Sequence, residues 1–213
     1  DYANATYENK QGANVAWPDT YKRYASSVRR IDDGVGDLLK LLKDLKIDEN
    51  TIVVFSSDNG PSIESYLPKG STPIEPTFFG SYGPFDGIKR DCWEGGVRMP
   101  VLANWPGHIE PGKVITTPSM LSDWLPTFAS LAKTVTPARA DGVSLLPALT
   151  GKGTQKEGVV YIEYYNEGKT PKYTAFEEAR RGRNRAQMQM IRFGDLVGVR
   201  YDVKSANDDF EIY

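Results

Sequence analysis

The chain has 213 residues, enough for one substantial hydrophobic core or for one domain and part of another. Its 26 Lys and Arg residues nearly balance 28 Asp and Glu residues, and a net charge of -2 argues against a nucleic-acid-binding protein. No apolar run approaches the length of a membrane span, the single cysteine excludes an intrachain disulfide, and the single histidine excludes a zinc site of several histidines.

The first regular element predicted from the sequence is a long helix that begins near Pro18. Apolar residues recur at spacings of three and four from Tyr21 to Leu45, which places them on one helical face. Gly34 and Gly36 lie inside this helix, and we expect them to allow close packing against a sheet. A short turn over residues 46–50 then leads into a strand.

The next stretch, residues 51–60, reads TIVVFSSDNG. Its β-branched and apolar residues predict a buried strand of the kind found in parallel sheets. Ligands in open α/β sheets bind beyond the carboxyl ends of the strands, where Asp58 and Asn59 would lie. A carboxylate beside a side-chain amide offers two hard oxygens, which suit calcium or magnesium. The same tripeptide is also typical of tight turns, so the residues alone leave both interpretations open.

A loop over residues 61–82 follows and is rich in Pro, Gly, Ser and Thr. Its length favours a functional role, and we expect it to border any pocket at the end of the strand. Four aromatic residues in this loop or just after it, Phe78, Phe79, Tyr82 and Phe85, could form a wall that stacks on a sugar, although local packing of the loop is the favoured interpretation.

The segment after this loop reads GIKRDCWEGGVRMP. Lys89 is a mobile cation that could meet an anionic substrate, and a solvated surface lysine is the alternative. Gly95 and Gly96 are interpreted as structural, because adjacent glycines permit conformations that side chains would block.

The second part of the chain is predicted to contain a strand, a helix and then four short strands. A strand is predicted at residues 100–105, and a helix at residues 123–133 with Ser122 as its N-cap. Beyond a linker-like stretch, four short strands are predicted at residues 159–165, 187–193, 196–201 and 209–213, with a hairpin turn at Gly194. The charged segment between the first two contains four arginines that could attract sulfated sugars, although a solvated charge run is the favoured interpretation: Arg180, Arg181, Arg183 and Arg185.

Four blocks of this sequence together resemble the second half of a type I sulfatase, the family of the arylsulfatases and the glycosaminoglycan-type sulfatases. They are IDDGVGDLLKLLKDLKIDENTIVVFSSDNGP, GIKRDCWEGGVRMPVLANWPGHIEPGKV, LSDWLPTFASLA and ADGVSLLPALTG, in the order of the family. The resemblance implies an α/β fold: part of an alkaline-phosphatase-like sandwich with a mainly parallel sheet, followed by a small antiparallel sheet. Residues 1–152 would be the second half of the catalytic domain, and residues 153–213 an incomplete C-terminal subdomain.

The resemblance also implies a chemistry, the hydrolysis of sulfate esters of sulfated sugars or aryl sulfates. Asp58 and Asn59 would be calcium ligands, and Lys89 the catalytic lysine that grips the sulfate group. The nucleophile of the family is a formylglycine made from the first residue of Cys/Ser-x-Pro-Ser/Ala-x-Arg, which this sequence lacks: Cys92 is followed by Trp93 and Glu94, and the runs beginning at Ser71 and Thr116 also fail.

We therefore expect the nucleophile and the remaining calcium ligands to lie upstream of Asp1, in a longer parent protein. On its own the chain should neither hydrolyse sulfate esters nor hold calcium tightly. The expected partner is a sulfated small molecule or glycan, with no nucleic acid and no membrane span, and self-association through exposed apolar surface is expected. By resemblance, the parent would be secreted, periplasmic or lysosomal.

Two alternatives remain at this point. A phosphate-ester hydrolase of the alkaline phosphatase type usually needs two zinc ions and several histidines, which the single histidine, His108, does not supply. A non-catalytic sugar-binding relative would keep the fold and lose the reaction. The sequence upstream of Asp1 would distinguish a catalytic protein from a binding module.

Overall fold

The computed structural model describes residues 2–63, 69 and 73–213. It opens with an antiparallel hairpin of β1 (Thr6–Glu8) and β2 (Asn14–Ala16). The long helix α1 (Asp19–Asp44) follows and confirms the predicted helix. Of the predicted loop at residues 61–82, residues 64–68 and 70–72 lie outside the described residues. Its aromatic residues Phe78 and Phe79 pack on each other, as expected for local packing, and also on Trp17 and Tyr21, which lie outside the loop.

The apolar face of α1 stays open to solvent in the described part of the chain. No residue of α1 is buried, and Ile31, Leu38 and Leu45 are each about half exposed. The prediction that Gly34 and Gly36 permit close packing is wrong here, because a Cβ added at either position would meet no described atom within 4 Å.

The two strands that frame the predicted site are β3 (Val53–Ser56) and β4 (Val101–Asn104). They pair antiparallel, with Val53 opposite Asn104 and Ser56 opposite Val101. The predicted mainly parallel sheet is thus not confirmed, since every pairing among the described strands is antiparallel. Parallel strands are usually joined by a crossover helix, whereas the described residues between β3 and β4 contain only the short helix α2 (Glu94–Val97). Nor is β3 fully buried as predicted: Phe55 is exposed, and so is Leu102, its partner across the strand pair.

Two further helices follow β4 in the chain, α3 (Trp124–Leu131) and α4 (Leu146–Thr150). A 3-10 turn, Leu121–Asp123, replaces the predicted cap at Ser122. The buried Asp123 carboxylate instead accepts the Met120 and Val143 amides at 2.7 and 2.8 Å, which ties the start of α3 to the segment before α4.

The C-terminal part of the chain forms a four-stranded antiparallel sheet in the order β5-β6-β7-β8. Its strands are β5 (Val160–Lys169), β6 (Asn184–Phe193), β7 (Leu196–Arg200) and β8 (Glu211–Ile212), close to the four predicted strands. Phe193 pairs with Leu196 across the predicted turn, where Gly194 adopts a positive φ of 56°. A two-residue hairpin loop requires that conformation, and glycine adopts it without steric cost.

The main core lies between this sheet and the segment that leads into α2. Met188, Met190 and Val199 of β6 and β7 pack with Cys92 and Trp93. Successive strand residues point to opposite faces, so alternate residues of β6 enter this core. The residues next to Lys89 are therefore held by the C-terminal sheet. No helix in the described part of the chain is long and apolar enough to cross a bilayer.

Candidate functional site

A cavity of about 760 Å³ opens where the end of β3, the segment before α2 and the C-terminal sheet meet. Asp58, Asn59 and Lys89 all line it, so the three residues predicted for the site are brought together around one space. Geometry does not test their roles, which remain predictions.

Two backbone hydrogen bonds lock the Asp58–Asn59 corner to the Lys89 segment. The Gly60 amide donates to the Gly96 carbonyl at 2.8 Å, and the Lys89 amide donates to the Pro61 carbonyl at 2.7 Å. These bonds hold residues 60 and 61, which directly follow Asp58 and Asn59, against the segment that contains Lys89. The tight turn at Asp58 and Asn59 and the segment of Lys89 are therefore one connected unit.

Glycines make the close contact between these segments possible. A Cβ added to Gly60 would lie 2.1 Å from the Gly95 carbonyl oxygen, and one added to Gly96 would lie 2.4 Å from the Asp91 carbonyl oxygen. Contacts this short are excluded for real side chains. The structural interpretation of Gly95 and Gly96 therefore agrees with the geometry.

The donor atoms at the corner are hard oxygens. Asn59 commits its side-chain amide nitrogen to the Gly60 carbonyl at 2.8 Å, so Oδ1 is the atom that suits a cation. The Asp58 carboxylate is adjacent in sequence and lines the same cavity. This set fits calcium or magnesium in kind, but calcium takes about six to eight oxygens. Among the described residues no cluster of three or more His, Cys, Asp or Glu side chains could hold a metal ion, so the corner is only part of a site.

Three buried or half-buried ion pairs join the segment around Lys89 to the C-terminal sheet, and the sequence analysis missed them. They are Asp86 with Arg180 at 2.6 Å, Asp91 with Arg185 at 2.8 Å and Glu94 with Arg192 at 2.7 Å. The interpretation of the arginines as a solvated charge run is therefore wrong. Arg183 pairs with Glu211, and Arg181 donates to the carbonyls of Thr174 and Phe176.

The single thiol is not a nucleophile. Cys92 is 1 % exposed, and burial, with a smaller contribution from the Asp91 charge, raises its pKa to about 12. The thiolate is therefore scarce at neutral pH, and the interpretation of Cys92 as a packed residue is consistent with its burial. The single histidine, His108, stacks on Trp105 with ring centroids 3.8 Å apart. It is not among the residues that line the cavity.

One part of the cavity wall could not be predicted from the sequence. Residues 115–121 line it together with residues of β5 and β6. This run includes Thr116 and Ser119, singled out only because their sequence fails the nucleophile pattern. A short irregular segment has no periodicity to indicate which cavity it borders.

Comparison with known proteins assigns the chain to a class and then to a family. Residues 1–134 match the family described as Sulfatase, and residues 80–199 match N-sulphoglucosamine sulphohydrolase, C-terminal. The chain resembles the crystal structure of Ps i-CgsB in complex with k-i-k-neocarrahexaose, with a TM-score of 0.61 and 27 % identity over 89 % of this chain and 35 % of that chain. These matches define the class as α/β proteins with the alkaline-phosphatase-like fold.

Within that class, the chain belongs to the sulfatase family. It is 39 % identical to mouse (Mus musculus) steryl-sulfatase over 67 % of this chain and 22 % of that protein. It is 43 % identical to N-acetylgalactosamine-6-sulfatase of Canis lupus familiaris over 61 % of this chain and 23 % of that protein. The chain thus matches less than a quarter of the length of these two relatives.

Proposed function

We propose that this chain is part of an enzyme that hydrolyses sulfate esters, and that Asp58, Asn59 and Lys89 form one side of its active site. The observation that carries the proposal is that a member of the sulfatase family places these three residues around one cavity. A shortage of histidine argues against the phosphatase alternative, because two-zinc phosphate-ester sites need several of them.

Each residue has a distinct role in this proposal. Asp58 and Oδ1 of Asn59 would hold a calcium ion, which when bound polarises a sulfate oxygen as a Lewis acid. The Lys89 ammonium would donate hydrogen bonds to a sulfate oxygen and stabilise negative charge as the ester bond breaks. The backbone hydrogen bonds of Gly60 and Lys89 fix the two sides before substrate arrives, so little reorganisation is needed.

The proposed active site also needs a nucleophile and further calcium ligands. We propose that the formylglycine nucleophile and the remaining calcium ligands come from sequence upstream of Asp1. The Asp-Asn corner supplies two of the six to eight oxygens that calcium takes, so calcium binding by this chain alone should be weak. Without the nucleophile, the chain alone should not turn over sulfate esters.

For the substrate, we propose a sulfated sugar, with an aryl sulfate as the second candidate. Support comes from the names of the relatives and from the carbohydrate bound to Ps i-CgsB. We further propose that residues 1–152 belong to the α/β catalytic domain and residues 153–213 to a C-terminal subdomain. A secreted, periplasmic or lysosomal location is proposed on family resemblance, and self-association of the chain on the exposed face of α1.

The test uses the complete gene product and two matched probes, 4-nitrophenyl sulfate and 4-nitrophenyl phosphate. We expect the sulfate ester to be hydrolysed faster, and the Lys89→Ala variant to lose about 10²–10³-fold in kcat, the scale for removing one transition-state donor. Lys40→Ala is the control, because Lys40 pairs with Asp44 on the exposed surface of α1. A preference for the phosphate ester, or an unaltered Lys89→Ala variant, would overturn the proposal.

A further inference from the structure

Lys89 lies in a tight turn that two hydrogen bonds between Ile88 and Asp91 close. The Asp91 amide donates to the Ile88 carbonyl at 2.9 Å, and the Ile88 amide donates back to the Asp91 carboxylate at 3.0 Å. Lys89 and Arg90 are the two central residues, and Arg90 has a φ of +78°. A turn with a left-handed third residue normally places glycine there, so an arginine at that position needs support from its surroundings.

The C-terminal sheet provides that support through Asp91. The Asp91 side chain is buried and accepts hydrogen bonds from Arg185 Nε at 2.8 Å, Arg185 Nη2 at 3.0 Å and Thr170 Oγ1 at 2.7 Å. Arg185 lies in β6, and Thr170 directly follows β5. The same carboxylate therefore closes the turn of Lys89 and joins it to the sheet.

A second link runs through Tyr201, which follows β7. The Cys92 amide donates to its hydroxyl at 2.7 Å, and that hydroxyl donates to Asp91 at 3.4 Å. Burial and the Asp91 charge raise the pKa of Tyr201, so that the hydroxyl stays protonated and remains a donor. All these groups reach the turn from the sheet side.

We propose that Arg185 is a positioning residue for Lys89: its two-pronged hydrogen bond to Asp91 fixes the turn that presents the lysine to the cavity. The inference rests on the proposed role of Lys89 and extends the active site into the C-terminal sheet, to a residue 94 positions after Asp91 in the sequence. A guanidinium holds a carboxylate with two parallel bonds, whereas a lysine offers one point charge, so Arg185→Lys keeps the charge and loses the fixed geometry.

The first measurement is amide hydrogen exchange on the 213-residue chain, at Ile88, Lys89 and Asp91. We expect Arg185→Lys to accelerate exchange at these amides about tenfold or more relative to the amides of α3. Arg183→Lys is the matched control, because the Arg183 guanidinium lies over the nearby rings of Trp93 and Tyr201 but pairs with Glu211 and not through the two-pronged bond to Asp91. Thr170→Val removes one bond to Asp91 without a change of charge and should act in the same direction, which keeps the test decisive if Arg185→Lys does not fold. Equal exchange in Arg185→Lys and Arg183→Lys would overturn the inference.

The second measurement is a double-mutant cycle in the complete enzyme, with kcat/KM for 4-nitrophenyl sulfate as the readout. Arg185→Lys should lower kcat/KM about tenfold when Lys89 is present and less than about twofold in the Lys89→Ala background, because residues that act through one another are not additive. A purely structural role would give the same loss in both backgrounds and would overturn the inference. Absence of sulfatase activity in the wild-type enzyme would overturn the proposed function, while the exchange experiment would still decide whether Arg185 holds the turn.

Discussion

Replacing Gly60 with alanine should separate the two halves of the proposed site. The added Cβ would lie 2.1 Å from the Gly95 carbonyl oxygen and 2.9 Å from the Gly96 Cα. Both neighbours are backbone atoms, so rotation of a side chain cannot relieve the clash. Restoring an ordinary contact of 3.4 Å requires the segments to move apart by about 1.3 Å.

The cost follows from what that movement breaks. Overpacking of this kind costs about 1–3 kcal/mol. The two hydrogen bonds that cross the same gap, from Gly60 to Gly96 and from Lys89 to Pro61, contribute about 0.5–1.5 kcal/mol each. We therefore expect Gly60→Ala to lower the free energy of unfolding by about 2–6 kcal/mol, equivalent to a fall in Tm of roughly 4 °C or more.

Thermal and urea unfolding of the purified chain, followed by circular dichroism, would measure this loss. Gly36→Ala is the control, because a Cβ at that position in α1 meets no described atom within 4 Å. Alanine is the better helix former by about 1 kcal/mol, so the control should be unchanged or more stable. A Gly60→Ala variant as stable as the wild type would refute the close contact between the Asp-Asn corner and the Glu-Gly-Gly segment.

Three further predictions concern the thiol, the ion and the open helix face. Burial raises the pKa of the Cys92 thiol to about 12 from 9.0, so its contribution to stability is complete below pH 9 and is lost as the pH rises towards 12. In urea titrations, Cys92→Ala should therefore lose less stability than the wild type between pH 7 and pH 10. Equal losses in the two proteins would contradict the burial of the thiol. Isothermal titration of the 213-residue chain with calcium should show no binding tighter than the millimolar range, since the corner offers two ligand residues, and a micromolar Kd would show that the chain holds a complete site. Sedimentation velocity should show that the wild-type chain self-associates, and that the double variant Ile31→Lys, Leu38→Lys does so less, because these exposed residues share one face of α1. A wild-type chain that is monomeric at all concentrations would contradict the proposed self-association.

The elements that local sequence patterns specify were predicted well. The apolar spacing from Tyr21 to Leu45 is a property of one helix, and α1 begins and ends close to the predicted bounds. The C-terminal strands and the turn at Gly194 were likewise visible, because strand alternation and turn residues are local signals. The residues alone suggested that Asp58, Asn59 and Lys89 could share a site, and the family resemblance strengthened that prediction.

Features that depend on distant partners could not be predicted in this way. The antiparallel pairing of β3 with β4 depends on the course of the chain between them, and a β-branched run looks the same in either orientation. Arg185 stands in a charged segment that resembles a solvated surface, yet its partner Asp91 is 94 residues away. The expectation that Gly34 and Gly36 serve close packing failed because glycine in a helix indicates that packing is possible without showing that a neighbour is present.

A crystal structure of the complete gene product with calcium and sulfate would test the central claim most directly. We expect a calcium ion within 2.3–2.6 Å of an Asp58 carboxylate oxygen and of Asn59 Oδ1, the usual range for calcium–oxygen bonds, with Lys89 Nζ in hydrogen-bond contact with the sulfate. A calcium ion bound without Asp58 and Asn59, or a sulfate that Lys89 does not reach, would contradict the account.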